Sequence, residues 1–132
     1  ATVAHTYHTV KTAGELREFI TSLSAENEVC FDTETSGFDV FNDRLVGMSF
    51  AVKPFEAWYV PIDRSNQAEY MDIVRPLFEN PAIAKVGQNI KFDIMVLANA
   101  GVRVRGFKYD TMILHYLLDP ESRHGRNYLP RT

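Results

Sequence analysis

The chain has 132 residues, of which 45% are hydrophobic and 23% charged, a composition typical of one soluble globular domain. Its formal net charge of −3 argues against a protein that coats nucleic acid through a general basic surface, but allows a site that grips one strand end through metal ions. The lone Cys30 excludes an internal disulfide, and no signal peptide or membrane-length apolar run is present, so the sequence predicts a cytoplasmic protein without a membrane partner.

The first segments predict a short edge strand and an amphipathic helix. The strand is expected over Tyr7 to Val10. Thr12 followed by Glu15 forms a capping box, which marks a helix start. The apolar residues that follow at helical spacing are Leu16, Phe19, Ile20 and Leu23.

The stretch from Val29 to Thr35 predicts a central strand that ends in two acids. Side chains alternate across a strand, so Asp32 and Glu34 share a face with Cys30 while Thr33 points the other way. Two like charges on one face repel unless a cation lies between them or one stays protonated. Carboxylate oxygens favour Mg²⁺ or Mn²⁺ over zinc. Two surface acids on a solvated strand end are the alternative interpretation.

Two β-rich runs then predict an antiparallel hairpin. They cover Leu45 to Val52 and Ala57 to Ile62, and residues 53–56 join them. Three strands therefore follow one another with antiparallel connections.

The second half predicts helices alternating with strands. The expected elements are a helix from Asn66 to Phe78 that Pro76 would kink, a strand over Ile83 to Val86, a helix over Gln88 to Ala100 stopped by Gly101, a strand over Phe107 to Tyr109, and a helix from Asp110 through Leu118. This order is the plan of a ribonuclease-H-like α/β mixed sheet. The functional crevice of such sheets lies beyond the carboxyl ends of central strands, where Asp32 and Glu34 are expected.

Asp93 is the single acid in a nearly all-apolar predicted helix. Burying a carboxylate without a partner is costly, so a function as a third metal ligand is one interpretation. Asn89 stands one helical turn earlier on the same face. The alternative is an acid that the helix dipole stabilises, although the predicted helix start places Asp93 a turn too deep for the full effect.

These segments together resemble a known family. Residues Phe31–Thr35 and Lys85–Asp93 look like the first two exonuclease motifs of the proofreading 3′→5′ exonuclease domain of bacterial DNA polymerase I, in the DEDD exonuclease superfamily. The resemblance also includes Leu45–Ala51, Tyr109–Met112 and Arg123–His124, and so covers nearly the whole chain.

The resemblance implies hydrolysis of the terminal phosphodiester with two Mg²⁺ or Mn²⁺ ions. Asp32 would bridge both ions, Glu34 would hold the first, and Asp93 would approach the second through water. Asp110 matches a helix-capping acid of the family and is not expected to be a ligand.

The resemblance also implies contacts with a single-stranded DNA 3′ end. The residues expected to make them are Thr35, Phe38, Gln88, Asn89, Phe92, Met112 and Arg123. Three of them have a structural alternative: Phe38 as a loop residue plugging the core, Asn89 as a helix cap, and Arg123 as a solvated charge.

The chain departs from the family at the fourth carboxylate, which a Tyr precedes by four positions on a later helix. Tyr59 with Asp63, and His115 with Asp119, have similar spacing but lie in the wrong segments. The third motif is thus missing, and Pro130 would hinder a helix there. We expect residues 1–132 to form a single, partial exonuclease domain that lacks the C-terminal helices and is weakly active or inactive alone.

The expected setting is a polymerase that acts in DNA replication and repair, in the cytoplasm at the nucleoid. The polymerase domain of the parent chain is an expected partner, and self-association is expected through an uncovered sheet face. The alternatives are a noncatalytic scaffold module of a polymerase and a ribonuclease-D-like exonuclease that acts on RNA.

Overall fold

The computed structural model describes residues 6–39, 42–53 and 55–108. The described strands are β1 (Thr6–Thr9), β2 (Glu28–Thr35), β3 (Leu45–Lys53), β4 (Glu56–Pro61), β5 (Ala84–Val86) and β6 (Phe107–Lys108). The described helices are α1 (Ala13–Leu23), α2 (Gln67–Phe78) and α3 (Ile90–Asn99). None of these helices is long and apolar enough to cross a membrane.

The strands form one mixed sheet in the order β1-β4-β3-β2-β5-β6. β2, β3 and β4 pair antiparallel in succession. β5 pairs parallel with β2, and β6 pairs parallel with β5. The chain therefore returns through α3 between β5 and β6. β1 lies at one edge, parallel to β4. The predicted ribonuclease-H-like plan of three antiparallel strands followed by two that alternate with helices is confirmed.

The core lies mainly on the sheet face that carries the odd-numbered residues of β2. Phe31 packs against Phe78 of α2 with ring centroids 4.9 Å apart, and Phe19 of α1 packs against Phe50 of β3 at 5.4 Å. Burying each such ring contributes about 2 to 3 kcal/mol. On the opposite face the buried hydrophobic residues are small, namely Cys30, Ala51 and Val86. β2 is therefore covered on both faces, as its apolar sequence predicted.

α1 begins at the predicted capping box. The Thr12 hydroxyl accepts a hydrogen bond from the Glu15 amide at 3.1 Å. The Glu15 carboxylate accepts from the amide of Lys11 at 2.7 Å, one residue before the cap. The four predicted apolar positions of this helix are all buried.

α2 begins where predicted, although its start is stabilised differently. Asn66 occupies the N-cap position but makes no side-chain cap hydrogen bond. Asp63 instead accepts hydrogen bonds from the amides of Ser65 and Asn66, at 2.8 and 3.0 Å, and so stabilises the turn before the helix. Pro76 lies in the last turn of α2.

α3 begins at Ile90, two residues later than predicted, which corrects the expected position of Asp93. Asp93 lies in the first turn rather than a turn deeper, and its amide donates to the Asn89 carbonyl at 3.1 Å. The positive end of the helix dipole therefore acts on this carboxylate. Asn89 makes no side-chain cap hydrogen bond. Gly101, at φ +90°, follows the C-cap as predicted.

Some predictions fall outside the described residues. Among these are the helix from Asp110 through Leu118 and the candidate site residues Met112 and Arg123. Self-association through an uncovered sheet face stays a prediction, and on the face opposite the main core Cys30, Ala51 and Val86 are buried.

Candidate functional site

β2 carries Asp32 and Glu34 at its carboxyl end, on the sheet face opposite the main core. Asp32 lies directly across from Ser49 of β3, and Glu34 lies across from Gly47. Asp32 is only 8% exposed, whereas Glu34 is exposed to solvent. The pairing of β2 with β3 becomes irregular between Glu34 and Thr35, so this end of the strand is also where the regular ladder breaks.

Asp93 of α3 reaches the same end of β2 and is fully buried. Its Oδ1 accepts two hydrogen bonds from Thr33, one from the amide at 3.2 Å and one from the hydroxyl at 2.6 Å. The Thr33 amide belongs to the peptide bond that joins Asp32 to Thr33. The Asp93 carboxylate therefore lies beside the backbone that carries the other two acids.

The short length of β5 explains this contact. β5 ends at Val86, which pairs with Cys30, so the ladder between β2 and β5 stops before Thr33. A buried amide beyond the end of a ladder still needs an acceptor. The Asp93 carboxylate accepts that amide hydrogen, in the gap where the pairing with β5 has ended.

The segment between β5 and α3 is packed closely onto this end of β2. A Cβ at Gly87 would lie 3.3 Å from Asp93 Oδ2 and 3.4 Å from the Phe31 carbonyl oxygen, so there is little spare room. Gln88 is buried at the same edge, while Asn89 and Phe92 are half-buried. These three residues thus lie in the segment that follows the carboxyl end of β5, and their role in substrate binding stays a prediction.

The loop after β2 carries the remaining described substrate candidates. The Thr35 hydroxyl donates to the Gly37 carbonyl inside the turn. Asp43 fixes the loop by accepting hydrogen bonds from the Asp39 amide at 2.8 Å and the Ser36 hydroxyl at 3.1 Å. Phe38 is 67% exposed, so it does not plug the core.

The three acids have the type of ligand atom that a hard divalent cation prefers, because Asp32, Glu34 and Asp93 supply only carboxylate oxygens. Within the described ranges, however, no group of three or more His, Cys, Asp or Glu side chains is gathered closely enough to hold a metal ion. Asp93 is turned to Thr33, whose side chain lies on the face opposite Asp32 and Glu34. The three-ligand assignment stays a prediction.

Cys30 shares a face with Asp32 but is not a candidate ligand or nucleophile. Burial, and secondarily the charge of Glu28, raises the pKa of its thiol to about 11. The thiol is therefore neutral near pH 7, and it belongs to the small buried cluster on this face.

Sequence reasoning missed Thr33 as the partner of Asp93. The available signal in the sequence was that Thr33, a hydroxyl residue, lies on the face of β2 that otherwise carries apolar residues.

The sequence analysis also dismissed Tyr59 together with Asp63. Asp63 is indeed an exposed turn residue, but Tyr59 lies on the same sheet face as Asp32, because both are paired with Ser49.

The Tyr59 hydroxyl lies close to the position across from Glu34. It donates to the Val46 carbonyl at 3.3 Å and would be 2.1 Å from a Cβ at Gly47. Burial, and secondarily the negative charge of Glu34, raises the pKa of the Tyr59 phenol. The environment of the acid pair therefore includes a tyrosine from β4.

Comparison with known proteins shows that most of the chain matches a known family. Residues 7–131 match the family described as 3'-5' exonuclease. DNA polymerase I of Pseudomonas aeruginosa is 44% identical over 76% of this chain, and the chain spans 12% of that relative's length.

Solved structures share the fold at lower identity. Trypanosoma brucei RNase D matches with a TM-score of 0.67 and 17% identity, over 78% of this chain and 37% of that protein. Brucella melitensis NrnC with bound Mg²⁺ matches with a TM-score of 0.59 and 22% identity, over 81% of this chain and 49% of that protein. These likenesses agree with the mixed sheet described above. The match along nearly the whole sequence shows that the chain belongs to the 3'-5' exonuclease family of the DNA polymerase I exonuclease domain.

Proposed function

We propose that this chain carries the acidic site of a DNA 3′→5′ exonuclease that proofreads for a polymerase I by hydrolysing the terminal phosphodiester bond. The observation that supports this most directly is the contact of Asp93 with Thr33, at 3.2 and 2.6 Å. It fixes an acid from a distant helix beside the strand end that carries Asp32 and Glu34. Asp32 and Glu34 lie on one face at the end of this central strand, and Asp93 adds a third acid from α3.

Asp32 and Glu34 would hold the divalent cations, Mg²⁺ or Mn²⁺, with Asp93 as the third acid of the site. Bound ions of this kind supply an activated water and stabilise the leaving 3′ oxygen. The burial of Asp32 restricts its side chain and excludes bulk water from one of its sides. Exposed Glu34 faces the solvent from which a substrate would arrive. The Mg²⁺ bound to the NrnC relative is consistent with this assignment.

The 3′-terminal nucleotides would lie along the edge formed by the ends of β2 and β5. Gln88, Asn89 and Phe92, in the segment after β5, would contact these nucleotides, together with Thr35 at the end of β2. Phe38, which is 67% exposed, would stack on or wedge beside the last base, a contact that accepts any base. Base-independent contacts suit an enzyme that removes all four mismatched nucleotides.

RNA is the second candidate substrate, and it is favoured by the fold likeness to Trypanosoma brucei RNase D, which has been solved in complex with RNA U12. A noncatalytic scaffold role is the remaining alternative. It gives no reason for placing Asp32 and Glu34 on one face of one strand end. Parallel digestion of labelled single-stranded DNA and RNA of the same sequence separates the two nuclease proposals.

The experiment that tests the proposal measures release of 3′ nucleotides from labelled single-stranded DNA with and without Mg²⁺. It uses the natural parent chain that contains these 132 residues. Asp32→Asn should reduce release by at least about a thousandfold, because the acids act as a unit. Glu18→Gln, on the exposed face of α1, is the matched control and should retain full release. Equal release by the two variants would refute the assignment of Asp32.

We further propose that the 132-residue chain alone releases nucleotides slowly or not at all, because the Tyr and Asp of the third motif are missing from it. Native extension until the chain includes a Tyr and an Asp four residues later should restore Mg²⁺-dependent release. Matching rates for the short and extended chains would contradict this proposal without affecting the assignment of Asp32.

A further inference from the structure

Tyr59 occupies the position that a cross-strand neighbour of Glu34 would normally fill. Glu34 pairs with Gly47, which has no side chain to present on this face. A Cβ at Gly47 would be 2.1 Å from the Tyr59 hydroxyl oxygen and 2.5 Å from the ring carbon that bears it. The phenol tip therefore lies directly over Gly47. Directly paired residues of antiparallel strands have side chains about 5 Å apart, so this is the neighbouring position to Glu34.

The pairing of three strands fixes this arrangement. Tyr59 pairs with Ser49, and Ser49 pairs with Asp32, so all three residues share the face of the acid pair. From β4 the ring leans across β3 towards Gly47 rather than over Ser49. Any larger residue at position 47 would displace the ring. Glycine at 47 and tyrosine at 59 are therefore complementary.

We propose that Tyr59 is a positioning residue for the Glu34 carboxylate, and that its hydroxyl provides a hydrogen-bond donor beside that carboxylate. The hydroxyl donates at present to the Val46 carbonyl at 3.3 Å, a long bond that a carboxylate acceptor could replace. The raised pKa of the phenol, caused by burial and by the charge of Glu34, agrees with this proximity. A donor held in this way limits the orientations of an otherwise exposed acid.

The consequence for catalysis rests on the proposed function, but the position of Tyr59 over Gly47 does not. Glu34 is exposed to solvent, and a hydrogen bond from Tyr59 would restrict its rotamers. Residues that orient a metal-ligating carboxylate usually change cation affinity when they are removed. Tyr59 touches neither substrate nor cation in this proposal, so it acts only through Glu34.

The decisive measurement is the side-chain carboxyl ¹³C resonance of Glu34 in the labelled chain without added metal. Glu34→Gln assigns the resonance. Tyr59→Phe keeps the ring over Gly47 and removes only the hydroxyl, so it should shift the Glu34 resonance. Tyr7→Phe removes a hydroxyl from a tyrosine that is 73% exposed on β1 and is the matched control. Urea midpoints of both variants check that the fold is retained.

A Glu34 resonance that moves no more in Tyr59→Phe than in Tyr7→Phe overturns the proposal. A shift confined to Tyr59→Phe supports it, whether or not the chain binds a cation. The second readout is Mn²⁺ affinity, which Tyr59→Phe should weaken by about tenfold and Tyr7→Phe should leave unchanged. Absence of Mn²⁺ binding in the unsubstituted chain would count against the proposed metal site, while the carboxyl resonance would still decide the role of Tyr59.

Discussion

The residue that joins the fold to the candidate site is Asp93. It is buried in the first turn of α3, and its Oδ1 accepts two hydrogen bonds from Thr33. The helix dipole and two donors together compensate for the desolvation of a carboxylate. The same contacts fix its position beside the peptide bond that joins Asp32 to Thr33. A structural function and a site function are therefore combined in one side chain.

Thr33→Val is expected to lower the free energy of unfolding by about 2 kcal/mol. The substitution keeps the branched shape but removes the hydroxyl that donates to Asp93 at 2.6 Å, and hydrogen bonds to charged acceptors contribute about this much. Urea denaturation measures the change. Thr9→Val, at an exposed position of β1, is the matched control and should change stability little. Equal effects would mean that the Thr33 hydroxyl contributes nothing specific.

Cys30 is expected to react slowly with Ellman's reagent in the native protein. Burial raises the pKa of its thiol from 9.0 to about 11, which alone reduces the thiolate near pH 7 by about a hundredfold. The buried position of Cys30 also restricts access of the reagent to the thiol. The reaction should become fast in concentrated urea. A cysteine placed at exposed Ala68 in a Cys30→Ala background should react quickly without urea, and native Cys30 reacting as fast would contradict its burial.

At the scale of elements, a buried lysine ties two connecting segments together. Lys85 of β5 is fully buried, and its ammonium donates to the Arg105 carbonyl at 2.9 Å and to the Asn80 carbonyl. Asn80 follows α2, and Arg105 precedes β6. The side chain therefore connects the segment that enters β5 with the segment that enters β6. This connection fixes the edge of the sheet from which α3 and Asp93 extend.

The stability of the protein is expected to rise between pH 8 and 9 because of Lys85. Burial lowers its pKa from 10.5 to about 8, so the unfolded chain binds more protons in this range and unfolding becomes less favourable as pH rises. The expected increase in the free energy of unfolding is roughly 1 kcal/mol over this interval. Urea denaturation at several pH values measures it. Above pH 9 the raised pKa of Cys30 acts in the opposite direction.

Lys85→Met tests the source of this pH dependence. Methionine has a similar length and no titrating group, so the variant should lose the increase between pH 8 and 9. Exposed Lys91→Met is the matched control and should keep it. A variant at position 85 that retains the increase would show that another group causes it.

For the whole molecule, the charge distribution determines how a nucleic acid could be bound. The net charge of −3 argues against a general basic surface that would hold a long strand. The acids, the segment after β5 and the loop after β2 instead lie at one edge of the sheet. This arrangement suits binding of one strand end rather than binding along a strand.

Binding of single-stranded DNA is therefore expected to depend little on its length and only moderately on salt. Affinities for a 5-nucleotide and a 30-nucleotide strand, each with an uncleavable 3′-terminal linkage, should agree within roughly threefold. The slope of log affinity against log salt should be smaller than about 3 in magnitude, as for a few phosphate contacts. Fluorescence anisotropy measures both. A strong increase of affinity with length, or a steeper slope, would indicate binding along the strand.

Much of the architecture followed from local patterns. The capping box at Thr12, the two-sided apolar run of β2 and the hairpin of β3 and β4 were placed correctly, because each depends on neighbouring residues alone. The start of α3 was placed two residues early. Asn89 is the N-cap of α3, with φ −122° and ψ 62° outside the helical range, so the helix begins only at Ile90.

The sequence by itself determined that Asp32 and Glu34 share a face at the end of a central strand, because alternation along a strand is a local property. It also indicated the family through two motifs. Only the tertiary structure decided what surrounds the three acids. Thr33 contacts Asp93 because β5 ends at Val86. Tyr59 of β4 lies over Gly47, the residue of β3 that pairs with Glu34, because of the register of these three strands. Contacts of this kind depend on strand length and register between segments far apart in the chain, which no local pattern specifies.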